Sequence, residues 1–246
     1  MNVEGWNRFW KSYKFKKITK EYFLFDLFTK FLKSSKDKRC LEVGCIPGNF
    51  LIAFKKNFSY KIYGVDYSDK EELFHTNMRY NGIKDYTFFK EDFLSFNPNF
   101  KFDVVSSFGF IEHFNNPEPY IKKMIDLLKK DGVLIIGFPN FRRGQYLLHR
   151  LLDDNTLFIT HNLQIMDLDY FNNIMQKFNV SPIYSGYYGV FHYWFLTDSL
   201  CKNLFNYPLF LFGKLFSYLT YFLKLNISLK NKYFSPYIIY IGKKND

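Results

Sequence analysis

Leu41-Glu42-Val43-Gly44-Cys45-Ile46-Pro47-Gly48-Asn49-Phe50-Leu51 leads an apolar strand into a glycine turn and out into a helix. Residues 39–43 read as the strand, 44–48 as the turn and 49–57 as a helix with Phe50, Leu51, Ala53 and Phe54 on its apolar face. In an open α/β sheet such a turn lies at the carboxyl end of a strand, where ligands bind. Gly44 and Gly48 can adopt dihedrals closed to other residues and leave no side chain between backbone and ligand. Their spacing is G-x-x-x-G, so the pyrophosphate cradle of the dinucleotide folds is not implied.

Working outward, strands are expected at 61–65, ending at Asp66, at 86–90, ending at Glu91-Asp92, and at 102–106. A helix is expected at 69–80, stopped by Asn81-Gly82. Another is expected at 118–130, turned by Asp131-Gly132 into a strand at 133–138. The continuous apolar runs of these strands predict burial on both faces, and the alternation of strand and helix predicts a parallel, doubly wound sheet. Further elements are a helix at 6–33, a helix at 163–178, a strand at 180–188 and a last strand at 235–242.

Composition narrows the class. Hydrophobic residues make up 48% of the 246, which excludes a disordered chain. Residues 1–31 lack the apolar run and small-residue cleavage site of a signal peptide. Cys40, Cys45 and Cys201 form no C-x-x-C pair or metal-ligand spacing, and are read as reduced thiols of a cytoplasmic protein. The net charge of +11 is uneven: +7 over 1–40, −1 over 41–194 and +5 over 195–246. Basic ends suit an anionic partner, a phosphorylated substrate or an acidic membrane surface among them, although lysines also simply solvate a surface.

The turn gains meaning from two acids. Asp66 closes the next strand, 22 residues beyond Gly44, where a carboxylate can accept both ribose hydroxyls of a nucleoside. Asp92 closes the strand after that, with Phe93 beside it, and the pair suits an adenine. Either acid alone is an ordinary strand-end residue; three ligand-suited features on consecutive strand ends are a pattern.

With these residues in view, the chain resembles the class I S-adenosylmethionine (SAM)-dependent methyltransferases, including the subgroup of ubiquinone-pathway and bacterial glycan O-methyltransferases. The resemblance rests on 41–51, on Gly64-Val65-Asp66-Tyr67-Ser68, and on the stretch from Phe102-Asp103-Val104-Val105 through Ile111-Glu112-His113-Phe114. It continues in Leu128–Ile136 and Phe138-Pro139-Asn140, and Ser235–Lys244 is similar to the family's closing antiparallel strand. It implies a Rossmann-like, seven-stranded, mostly parallel sheet with the last strand antiparallel and helices on both faces. The implied division is a helical lid at 1–38, a SAM-binding core at 39–194, an apolar aromatic insertion at 195–234, and a final strand and tail at 235–246.

Carried over by position, Glu42, Gly44, Cys45, Gly48 and Asn49 face the methionine part of SAM and the helix start. Asp66 and Tyr67 face the ribose, Asp92 and Phe93 the adenine, and Ser107 and Phe108 form the floor after the fourth strand. One departure stands out: the family's middle glycine is Ile46 here, followed by Pro47. A hydroxyl acceptor benefits from a general base, most often His. His113 and His161 are the catalytic candidates, with His192 a rival and a merely structural Glu112-His113 pair the alternative. The metal site of the ubiquinone branch uses two acids and this histidine, and the first acid aligns with Gly109, so no metal is expected.

The segment 204–225 is long enough for a membrane span but is interrupted by Pro208, Gly213, Lys214 and Lys224. It is read as a cap over the acceptor pocket, with peripheral contact at the inner face of a membrane as the alternative. The expected activity is O-methylation of a small or glycan-linked acceptor, such as a bacterial surface-polysaccharide precursor, phosphorylated acceptors included. The alternatives are a membrane-associated quinone or lipid methyltransferase and a non-catalytic SAM-binding protein. Nucleic acid is not expected, since Ser106-Ser107-Phe108-Gly109 replaces the Asn/Asp-Pro-Pro-Tyr/Phe signature of DNA amino-methylating enzymes.

Overall fold

The computed structural model describes residues 10, 13–152, 160–189, 211, 215, 219, 230–233 and 235–245. His192, Cys201 and, apart from Leu211, Leu215 and Leu219, the expectations for 204–225 lie outside these residues. The described elements are α1 (Phe25–Phe28), β1 (Arg39–Val43), α2 (Asn49–Phe58), β2 (Lys61–Asp66), α3 (Glu71–Tyr80), β3 (Tyr86–Lys90), β4 (Phe102–Phe108), α4 (Glu118–Asp126), β5 (Leu128–Pro139), α5 (Arg143–Leu152), α6 (Leu168–Met175), β6 (Val180–Tyr188) and β7 (Tyr237–Lys244). A single turn of 3-10 helix spans Ile111–His113.

The strands form one seven-stranded sheet in the order β3-β2-β1-β4-β5-β7-β6. Pairing is parallel from β3 to β5, and β7 runs antiparallel to both β5 and β6. The expected α/β fold with its antiparallel closing strand is therefore present. Alternation along the strands builds two cores. Leu41, Val43, Leu134, Ile136, Ile238 and Tyr240 pack on α4 and α6 on one face. Cys40, Ile62, Ile135, Ile239 and Ile241 pack on α1, α2 and α3 on the other.

Three expectations are corrected. Within the described residues the helix expected at 6–33 is found only at Trp10 and in the four residues of α1, and 13–24 carries no helix. The backbone there takes tertiary partners instead of helical ones: Asn81 Oδ1 accepts the N–H of Ile18 at 2.8 Å, and Lys56 Nζ donates to the carbonyl of Ile18 at 2.8 Å. Leu24, at φ 74°, then turns the chain into α1. The helix at 118–130 ends at Asp126, and β5 already begins at Leu128, so Asp131-Gly132 lies within the strand element instead of before it. Asp131 has φ 60°, and the β4–β5 register shifts between Phe102 and Val104, the local irregularity that an Asp-Gly pair accommodates. The helix at 163–178 shortens to α6 because Asp167 caps it, accepting the N–H of Tyr170 at 3.2 Å. Helix α5, Arg143–Leu152, is an addition that periodicity did not reveal.

Candidate active site

The strand order reverses direction between β1 and β4, and at their carboxyl ends lies a cavity of about 1490 Å³. That exceeds the 300–1,000 Å³ typical of a single small-molecule pocket, so two ligands can share it. One half is walled by the turn and the strand-end acids, the other by aromatic side chains.

The turn is shaped by its surroundings. Gly44 (φ 68°) and Gly48 (φ 90°) both occupy the left-handed region. A Cβ on Gly44 would stand 2.7 Å from the Phe110 ring, and one on Gly48 2.8 Å from Met78 and 2.9 Å from Phe74. Glycine is thus required at both places by φ and by space. Ile46, at the departure from the family's turn, is buried at 7% exposure and tied down by its backbone: its N–H donates to Asp66 Oδ2 at 3.1 Å. Asp66 Oδ1 accepts the N–H of Ser68 at 2.9 Å. Burial raises the Asp66 carboxyl pKa, opposed by these N–H donors. Glu42 is pushed well above the carboxylate range by burial, opposed by the N–H of Leu51 and reinforced by the charge of Asp66. Asp92 Oδ1 accepts the N–H of Leu94 at 2.9 Å, which holds its carboxylate at the cavity edge.

Ten of the expected residues line the cavity: Glu42, Gly44, Cys45, Asn49, Asp66, Tyr67, Asp92, Phe93, Phe108 and His113. Gly48 backs onto α3 instead, and Ser107 is buried in β4 with its Oγ lacking a hydrogen-bond partner. His161 lies behind His113, with ring centroids 4.5 Å apart, and outside the lining.

His113 follows β4 on the 3-10 turn. Its Nδ1 stands 3.1 Å from the carbonyl oxygen of Thr160, which can only accept; in the tautomer that donates there, Nε2 carries the lone pair. Burial depresses the imidazole pKa to about 4, against the Thr160 carbonyl, so the ring is neutral at physiological pH. Glu112, 1% exposed, is pushed up to about 8 by burial, and its Oε1 lies 3.9 Å from His113 Nε2. Its Oε2 is buried without a hydrogen-bond partner. Potential ligand atoms of Glu112, His113 and His161 lie within 4.8 Å of one another, a grouping that could hold a cation or share a proton. Sequence reading singled out these residues but not their grouping, because His161 arrives from 48 residues away through the contact of Thr160 with His113.

The second half of the cavity contains Tyr22, Phe23, Phe50, Phe108, Tyr188 and Tyr237. Phe50 and Phe108 stack with centroids 3.7 Å apart, and Phe23 packs on Tyr237 at 4.6 Å. Tyr188 donates its hydroxyl to Asp26, and Lys230 Nζ stands 4.8 Å above the Tyr188 ring. These rings come from the N-terminal segment, α2, β4, β6 and β7; no local motif announces them, only the aromatic richness of the chain.

A family model for a methyltransferase domain matches residues 15–184. No curated protein sequence matches. Among solved structures, a candidate methyltransferase of Bacillus halodurans superposes with a TM-score of 0.62 at 13% identity, covering 90% of this chain and 98% of that one. Coclaurine N-methyltransferase, bound to N-methylheliamine and S-adenosylhomocysteine (SAH), gives 0.58 at 17% identity, covering 89% and 71%. Geranyl diphosphate C-methyltransferase of Streptomyces coelicolor, in complex with Mg2+, geranyl-S-thiolodiphosphate and SAH, gives 0.57 at 11%, covering 89% and 74%. At these identities the likeness is one of fold.

Proposed function

Because the chain belongs to the methyltransferase domain family, we propose that it is a SAM-dependent O-methyltransferase whose acceptor hydroxyl is deprotonated by His113. The observation that carries this reading is a single cavity lined by both the strand-end acids and His113. The donor set fits SAM. Asp66 keeps acceptor capacity for ribose hydroxyls beyond its two backbone bonds, Asp92 and Phe93 suit the adenine, and Glu42 and Asn49 suit the amino acid end. When bound, SAM supplies an electrophilic methyl group on a sulfonium.

The protein's own contribution is positional and basic. In-line displacement needs donor and acceptor held in register, and the turn and the aromatic walls supply that frame. His113 Nε2 accepts the hydroxyl proton as the new bond forms, and Glu112 Oε1 stands 3.9 Å from that nitrogen. The aromatic half suits the apolar face of a sugar ring, which supports a small or glycan-linked acceptor, a surface-polysaccharide precursor being the specific suggestion. Lys230 at that end favours a phosphorylated or otherwise anionic one.

Isothermal titration with SAH is the test. Micromolar binding by the wild type and a loss of at least tenfold in Asp66→Ala are expected; no binding, or equal binding by the variant, sinks the reading.

A second reading places the enzyme at a membrane face with a lipid-like acceptor. It is favoured by Leu211, Leu215 and Leu219, each helical and each at least 43% exposed. No helix among the described residues is long and apolar enough to cross a membrane. Flotation with anionic liposomes, abolished by Leu215→Glu, is the outcome this second reading requires.

A further inference from the structure

Asn77 lies on the buried side of α3, outside the cavity lining, and is 0% exposed. Its Nδ2 donates to the carbonyl of Pro47 at 2.7 Å and to Asn49 Oδ1 at 2.9 Å. The same Asn49 oxygen accepts the hydroxyl of Tyr13 at 2.9 Å. On its other side Asn77 Oδ1 accepts from Asn81 Nδ2 at 3.1 Å, and Asn81 reaches the N-terminal segment through the carbonyl of Lys16 at 3.2 Å and the N–H of Ile18 at 2.8 Å. The polar chain Tyr13–Asn49–Asn77–Asn81–Ile18 therefore begins and ends on the N-terminal segment and passes through the glycine turn.

Two consequences follow from the chemistry. Asn49 lines the cavity, and with its oxygen engaged by two donors it offers a ligand only its Nδ2 hydrogens. That matches an anionic group such as the carboxylate of the methionine moiety. The N-terminal segment in turn supplies cavity wall, from Lys16 and Lys20 through Phe23 and Phe25. Residues 13–24 make no helix of their own, so their order depends on these tertiary bonds.

We infer that Asn77 is a positioning residue that joins the cofactor turn to the N-terminal wall, so that cofactor binding and the order of residues 13–24 are thermodynamically linked. This rests on the reading of the cavity as the SAM site. Linkage is reciprocal: what the cofactor contributes to ordering the wall, an ordered wall returns as cofactor affinity.

The test combines SAH titration with amide hydrogen exchange on the full chain. In the wild type, SAH is expected to slow exchange across 13–24. Asn77→Ala should weaken SAH by about tenfold, the scale of a buried hydrogen-bonded group left unsatisfied, and erase the SAH-dependent protection of 13–24 while β4 keeps its own. Tyr13→Phe, which removes one hydroxyl at a half-buried position, should weaken SAH by a few fold, with no further loss when added to Asn77→Ala. A wild type that binds SAH with unchanged exchange in 13–24 overturns the inference, as do two single variants that bind as tightly as the wild type. If Asn77→Ala loses protection in β4 and so is unfolded, Tyr13→Phe and the wild-type exchange decide. A wild type that fails to bind SAH overturns the cofactor reading itself.

Discussion

The carboxylate of Asp66 accepts the backbone N–H of Ile46 at 3.1 Å, so the acid at the end of β2 braces the residue where the turn departs from its family. A backbone donor makes this bond, and any residue but proline at 46 can keep it. Ile46 is also 93% shielded and packs in the core beside α2 and α3. Ile46→Gly is therefore expected to cost stability through lost burial, about 2–5 kcal/mol by analogy with large-to-small core changes, while SAH affinity changes by less than about threefold relative to the hydrogen-bond scale. Thermal melts and titration on one preparation check both parts. A large loss of affinity at unchanged stability would show that the Ile46 side chain itself contacts the cofactor.

Gly48→Ala is the complementary change. Its Cβ would meet Met78 and Phe74 at under 3.0 Å, from a backbone at φ 90°. Strain and overpacking together predict about 2–4 kcal/mol of destabilisation. A melting temperature within a degree of wild type would contradict the packing described here.

Glu112 and His113 give the folded state opposite pH dependences. Glu112 keeps its proton in the folded protein up to about pH 8 but loses it near 4.5 when unfolded. The folded state then binds more protons across that window, and stability falls as pH rises through it. His113, lowered from 6.5 to about 4, loses stability as pH falls from 6.5 towards 4. Between pH 6.5 and 8 only the Glu112 effect operates within the pair. The melting temperature of Glu112→Gln, measured against wild type, should rise by several degrees from pH 6.5 to 8.5, at roughly 2–4 °C per kcal/mol for a chain of this size. A difference that stays flat with pH would show that Glu112 is ionised at neutral pH.

His113→Ala should bind SAH within a few fold of wild type but lose about 10²–10⁴ in turnover with a hydroxyl acceptor, the usual range for general-base catalysis. Single-turnover transfer of a radiolabelled methyl group separates the two effects. Equal losses in affinity and rate would assign His113 to pinning the loop through Thr160.

Metal removal addresses the grouping of Glu112, His113 and His161. Methyl transfer is expected to survive dialysis against a chelator, with no recovery on adding Mg2+ or Mn2+. Restoration of lost activity by either ion would replace the general base with Lewis-acid activation at the same three residues.

The legible part of this protein was local. β1, β3 and β6 begin and end where alternation and flanking turn residues put them, and β2 differs by one residue. Gly44, Asp66 and Asp92 could be read as a ligand frame because strand ends in a parallel sheet converge by topology. Asn77 could not: in the sequence it is an ordinary polar residue of an amphipathic helix, and its partners are 28 and 30 residues away. The N-terminal aromatics misled for a related reason. Phe25 and Phe28 recur at helical spacing, but the backbone before them is bound by Asn81 and Lys56.

What the sequence determined by itself is the order of strands and helices, the place of the glycine turn and the two acids that follow it. These depend on short-range periodicity and on the handedness of strand–helix–strand units. Only the tertiary structure decided which polar groups meet: Asp66 with Ile46, His113 with Thr160 and Glu112, and Asn77 with Pro47 and Asn49. Such pairs form because a buried donor or acceptor must find a partner wherever the packed cores bring one within reach, and that constraint leaves no period in the sequence to read.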